Sequence, residues 1–259
     1  MMDLFWSVVY SLAVGLLVWL LYSKIGEYPE PLPRSQTPKR EITQAFSLWA
    51  LACSVSALMA LAITPAFDQL AIDRTRRELA LAPLLAAVYI ALPMGMVIKL
   101  NGWTVHDFGL TWKSQSRSVT IFAVALGLMT GGVAFVANQA VIGIDLLPWG
   151  ALLLLLFTNS FTEEFFHRGV IQSLLERAAG QRRALLVGGI LFGLTHVVFD
   201  VTMLAANRGI EAILFAVLLQ TMAGWLFGII YMKTRTLWPG IACHYLANWF
   251  PSILLGLTS

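Results

Sequence analysis

Charge is what this 259-residue chain has least of. Only 12% of its residues are Lys, Arg, Asp or Glu, and 58% are hydrophobic. Soluble domains carry about 25% charged residues, so a soluble fold is excluded. The net charge of +3 is too small to make a nucleic-acid binder. Cysteine is nearly absent: Cys53 and Cys243 both lie in apolar stretches, which excludes a disulfide framework. No H-E-x-x-H occurs, so the usual zinc-protease signature is missing. No G-x-S-x-G occurs, which removes one common serine-hydrolase signature. There is no internal repeat and no low-complexity tract. The first apolar run has no basic region before it and no A-x-A site after it. Residues 4–22 therefore read as a retained helix, not a signal peptide.

What fills the chain instead is a series of apolar stretches. About 20 apolar residues span a bilayer. On that rule the expected spans are roughly 4–23, 45–66, 79–100, 119–142, 148–168, 184–204, 210–232 and 237–257. The fold class is all-α, a polytopic membrane helix bundle of about eight transmembrane helices. The fifth helix should run past the membrane to about Ala179 and stop at Gly180. The segment GEYPEPLPRSQTPKR is Pro-rich and extended, and NGWTVHDFGLTWKSQSRS is an amphipathic interfacial connection. Two parts are expected within one membrane unit: N-terminal transmembrane helices over 1–105, and a membrane core over 106–259.

Basic residues orient such a bundle. They crowd the odd-numbered connections: Lys24, Arg34, Lys39, Arg40, Lys99, Lys113, Arg117, Arg177, Arg182, Arg183, Lys233 and Arg235. They are sparse in the even-numbered ones, with Arg74, Arg76, Arg77 and Arg208. The odd connections are therefore expected in the cytoplasm and both termini outside, although the Arg74–Arg77 cluster opposes this.

A few polar residues interrupt the apolar spans, and each carries a cost. A carboxylate at membrane depth costs about 2.5–3.5 kcal/mol on insertion scales, so such residues mark functional sites by default. The fifth span carries FTEEFFHRG. Glu164 and Arg168 are four apart, share a helix face and can pair as a purely structural bridge. Glu163 points about 100° away from Glu164, which leaves it free for another partner. The sixth span carries His196 with Phe192 one turn before it, where the ring could wall a site. The eighth carries His244 and Asn248 on one face. Taken singly, His196 could be a helix-to-helix hydrogen-bonding group and His244–Asn248 an interhelical clasp. His167 and Asp200 are possible supports, His106 reads as interfacial, and Cys243 as a small buried residue. All these intramembrane polar groups fall at mid-depth or in the cytoplasmic half, so one shared cavity would account for them together.

The chemistry such a set supports is hydrolysis. A glutamate and a histidine can deprotonate water, and a histidine with an asparagine can stabilise an oxyanion. Two Glu, two His and an Asn are also potential zinc ligands.

Three motifs in order resemble those of the CPBP intramembrane proteases, a family that includes type II CAAX prenyl endopeptidases and bacterial Abi-type proteins. They are E-E-x-x-x-R (Glu163, Glu164, Arg168), F-x-x-x-H (Phe192, His196) and H-x-x-x-N (His244, Asn248). Gly169, Gly224, Gly228, YMKTRTLWPGIACH and DFGLTWKS add to the likeness, which covers about residues 106–250. The resemblance implies a helical membrane endopeptidase with a cavity open to the cytoplasm. It implies Glu163 as general base with His196, His244 and Asn248 as the oxyanion site, and Glu164, Arg168 and Phe192 as structural support. No metal is expected; were zinc present, Glu163, His196 and His244 would be its ligands. The expected partners are the lipid bilayer and a membrane-associated peptide or protein, cleaved at a C-terminal tail or leader, with no nucleic acid. The expected location is the plasma membrane. His167 departs from the aromatic residue usual before the motif arginine. The alternative is a non-proteolytic membrane scaffold or bacteriocin-immunity-type protein, which some relatives resemble.

Overall fold

A computed structural model describes residues 2–70, 74–139 and 156–258. The helices are α1 (Met2–Ser23), α2 (residues 38–69), α3 (residues 74–101), α4 (Arg117–Gln139), α5 (residues 156–179), α6 (Gln181–Thr195), α7 (Val197–Thr234) and α8 (Trp238–Thr258). There is no strand among the described residues. Among the described residues, five of the eight expected spans are helices long and apolar enough to cross a membrane: Pro38–Phe67, Leu79–Asn101, Arg117–Val136, Gln181–Thr202 and Gly209–Thr234. The protein is an all-α integral membrane bundle. The expected start of the fifth span, 148–155, and the end of the fourth, 140–142, lie outside the described residues.

The helices start and stop where their sequence dictates. Pro38 opens α2 at a first-turn position, where its missing N–H costs nothing. Gly180 separates α5 from α6 with φ 92°, and Gly209 interrupts α7 with φ 73°, a region most residues avoid. Chain direction reverses at Gly209, so 209–234 runs back along 181–202. That hairpin is drawn tight by small residues. A Cβ on Gly224 would sit 2.8 Å from the Gly189 Cα, and one on Gly193 would strike Val217 and Thr221. Close backbone approach of this kind is how membrane helices gain packing without a hydrophobic driving force. Gly127 and Gly131 do the same for the parallel pair α4 and α8; a Cβ on Gly127 would meet the Cys243 carbonyl at 2.7 Å.

The fifth helix is not uniformly α-helical. Leu156–Phe161 and Phe165–Gln172 are π-wound, flanking one short α-turn, Thr162–Glu164. Such wider turns collect at functional sites. Phe165–Gln172 is buried throughout, with α2, α6 and α7 packed around it.

The odd connections meet on one face of the bundle. Lys233 donates from Nζ to the carbonyls of Leu21, Tyr22, Ile25 and Gly26 at 2.7–3.2 Å, closing the end of α1. Arg235 grips Glu176 with two bonds of 2.8 and 2.9 Å and reaches the Glu30 carbonyl. Glu176 also accepts from the Leu32 N–H at 3.0 Å. Leu237 donates to the Gly109 carbonyl and Gln115 to that of Thr234. First, third, fifth and seventh connections thus share one side. The 105–116 connection is folded in: Phe108 stacks on Phe165 at 5.5 Å, and Trp112 on Trp238 at 4.2 Å. His106 stays exposed there.

Candidate active site

Three helices bring the singled-out polar residues together. Glu163 comes from α5, His196 from the break between α6 and α7, and His244 from α8. Glu163 Oε2 lies 3.7 Å from His196 Nε2 and 3.9 Å from His244 Nε2. Nearby, Glu164 turns the other way. Its Oε1 pairs with Arg168 Nη1 at 3.2 Å and accepts from His244 Nδ1 at 3.0 Å. Gly240 makes room for this, since a Cβ there would stand 3.2 Å from Glu164 Oε2.

Arg168 is buried to 1% exposure. Its guanidinium lies over the Phe192 ring at 4.3 Å and near Phe227 at 5.2 Å, and it donates to the Gly224 carbonyl at 3.3 Å. One buried cation is thus held by a carboxylate, two aromatic faces and a carbonyl, as a charge in low dielectric requires. Phe192 serves three neighbours at once, because it also contacts the rings of His167 and His196 at 4.9 Å.

The outer partners of the two histidines decide what their inner nitrogens can do. His196 Nδ1 meets the Phe192 carbonyl at 2.9 Å. A carbonyl only accepts, so the proton sits on Nδ1 and the neutral ring offers Nε2 as an acceptor. His244 Nδ1 meets a carboxylate, so it too carries a proton. His244 donates from Nε2 only as an imidazolium, a cation that Glu164 is placed to balance. Phe227 stacks on the His244 ring at 5.1 Å. The tertiary contact of Glu164 with His244 has no signal in sequence spacing, because the two are 80 residues apart.

Several supports differ from their sequence reading. Asp200 does not orient the His196 ring, whose Nδ1 is taken by Phe192; its Oδ1 accepts from Gln220 at 3.2 Å. His167 is buried between Phe166 and Phe192. Cys243 is buried, with its backbone against Gly127. Asn248 is exposed, one turn beyond His244. Asn159 was not singled out, yet its Nδ2 donates to Glu163 Oε1 at 2.8 Å. The i, i+4 spacing that flagged Glu164 and Arg168 also fits Asn159 and Glu163.

As metal ligands, the residues fit in type but not in spacing. Adjacent ligands of a tetrahedral zinc stand about 3.3 Å apart at Zn–N lengths near 2.0 Å, and the separations at Glu163 are wider. Among the described residues no group of three or more His, Cys, Asp or Glu is arranged to hold a metal ion. The basic cavity lined by Arg34, Gly180, Gln181, Arg182 and Arg183 is a separate feature. Gly180 lies 17 positions beyond Glu163 along the same helix, about 25 Å at 1.5 Å per residue.

Neither the curated proteins nor the solved structures give a match. One family model matches, over residues 145–250, the stretch that contains Glu163, Glu164, Arg168, Phe192, His196, His244 and Asn248. It is described as type II CAAX prenyl endopeptidase Rce1-like, and over this stretch the chain is similar to that family.

Proposed function

We propose that the chain hydrolyses a peptide bond of a membrane-associated peptide or protein, using water activated by Glu163 and His196. The observation that carries this reading is the convergence of Glu163 Oε2 on two histidine Nε2 atoms from two other helices. Glu163 is the base and takes one proton from water. His196 accepts through Nε2 and orients the attacking oxygen. The oxygen adds to the scissile carbonyl and an oxyanion forms. His244, as an imidazolium backed by Glu164, and the amide of Asn248 donate to that oxyanion. Collapse breaks the C–N bond, and the proton held by Glu163 passes to the leaving amine. The second proton of the water leaves the new carboxyl for the amine, so the products are a carboxylate and an ammonium group, with one water consumed. Glu164 and Arg168 hold α5 against α7 and take no part in proton transfer.

The cut falls near a C-terminal tail or a leader peptide. Lys/Arg bias puts the clustered odd connections, and the opening of the site, on the cytoplasmic side of the plasma membrane with both termini outside. The mechanism runs without a metal.

The test is cleavage of an internally quenched farnesylated peptide ending in a CAAX tetrapeptide, alongside its unprenylated counterpart, by purified protein. Glu163→Gln should lower kcat by about 10³-fold, within the range for a positioned base. Full activity in Glu163→Gln ends the proposal. Stoichiometric zinc in the active protein, with loss of activity to chelator, would replace the glutamate route with a metal one.

A further inference from the structure

Glu163 has two carboxylate oxygens, and only one faces the histidines. The other, Oε1, receives a hydrogen bond of 2.8 Å from Asn159 Nδ2, one turn earlier on α5. The orientation of that amide is fixed by chemistry, since its oxygen would repel a carboxylate. This leaves Asn159 Oδ1 buried with no hydrogen-bond partner among the described residues. A buried, unmet acceptor costs stability. Asn159 thus gives up an acceptor in order to donate to Glu163. Its own backbone carbonyl is already used by Thr162 Oγ1 at 2.9 Å, so the local turn is supported without the side chain.

We propose that Asn159 is the positioning residue for the base, an inference that rests on reading Glu163 as that base. Its amide ties down Oε1 and so selects the rotamer in which Oε2 stands between His196 and His244. A glutamate has three side-chain torsions, and the Asn159 amide anchors the far end of this one. Glu164 is restrained on its own account by Arg168 and His244. The two adjacent carboxylates are therefore each locked by a residue four positions away, Glu164 by Arg168 in the forward direction and Glu163 by Asn159 in the backward one. Asn159 does not touch the reacting atoms. It acts through the orientation of Glu163.

Infrared difference spectroscopy isolates the Glu163 carboxylate without any substrate. Wild type minus Glu163→Gln gives its stretching bands; the same difference in an Asn159→Leu background gives them with the donor gone. The bands should be displaced, because the hydrogen bond to Oε1 is lost. Superimposable bands overturn the proposal. Activity on the farnesylated quenched peptide gives the second reading. Asn159→Leu should lower kcat about 10- to 100-fold, the scale of a hydrogen bond to a charged group, with KM within about twofold. A raised KM with kcat retained overturns it. Asn159→Asp keeps the side-chain size, puts an acceptor where the donor was, and should lose more kcat than Asn159→Leu; it also serves if the leucine variant does not fold. Should Glu163→Gln cleave at the full rate, the hydrolytic reading fails, while the bands still judge the Asn159–Glu163 contact. Should Glu163→Gln be inactive and Asn159→Leu unchanged in kcat and bands, only the positioning role fails.

Discussion

Two of the buried charged networks among the described residues are built to opposite standards. At the face where the odd connections meet, both oxygens of Glu176 are occupied by Arg235 at 2.8 and 2.9 Å, and Lys233 Nζ meets four carbonyls within 3.2 Å. Around Glu163 the charge-bearing separations open to 3.7 and 3.9 Å, and the side chain keeps 21% of its exposure. The first arrangement spends its hydrogen-bonding capacity on itself. The second leaves Glu163 Oε2 and the two histidine Nε2 atoms farther apart than a direct hydrogen bond. Saturation suits a network that holds helices in place; incomplete pairing is what the proposed chemistry requires of the other.

The clasp also shows what structural charge costs in this fold. Arg235 has φ 55°, a left-handed conformation rarely taken by a side-chain-bearing residue. Its bidentate grip on Glu176 over-determines that strain. The extended 26–35 segment is fastened by the same pair, through Leu32 and the Glu30 carbonyl. Helix α1 and its connection are thus packed onto the family-matched region, not appended to it.

The contrast can be broken by substitution, because the two networks should fail in different measurements. The largest effect is expected from Glu176→Ala. It strands Arg235 as a buried, uncompensated cation and should destabilise by about 3–5 kcal/mol. Melting in detergent would report it, while kcat per folded molecule stays at the wild-type value. An unmoved melting temperature would remove the clasp from the structural side of the comparison. Next is Asn248→Ala, with the opposite pattern. Loss of one oxyanion donor should lower kcat about 100-fold, and since Asn248 is exposed, melting should hardly change. A variant that cleaves at the wild-type rate would take Asn248 out of the site. The smallest effect is expected from Lys233→Met, which keeps the stem packed and frees four carbonyls beside a water-accessible connection. It should cost about 1–3 kcal/mol and increase amide exchange at the end of α1, read by mass spectrometry. Unchanged exchange there would mean the α1 terminus is held by packing alone.

The all-helical class and several helix ends were legible from local pattern. Apolar length gave five of the eight expected spans among the described residues, Gly180 the α5–α6 boundary, and four-residue spacing the Glu164–Arg168 pair. Motif order pointed to the family. Other features were not legible because they depend on contacts between distant residues. Asp200 sits one turn from His196, which suggested support for its ring, but the Phe192 carbonyl is nearer to Nδ1. The proton positions on both histidines follow from such partners.

The sequence by itself determined that this is a membrane bundle and which few polar side chains it carries inward. Composition and periodicity act residue by residue and need no fold to be read. Only the tertiary structure decided how the two glutamates divide. Glu164 is turned to Arg168 and His244, while Glu163 is left between His196 and His244 with Asn159 behind it. That division depends on the approach of α6 and α8 to α5, set by glycine seams at Gly189, Gly193, Gly224 and Gly127. Distances between helices are fixed by packing, and packing is a property of the whole bundle.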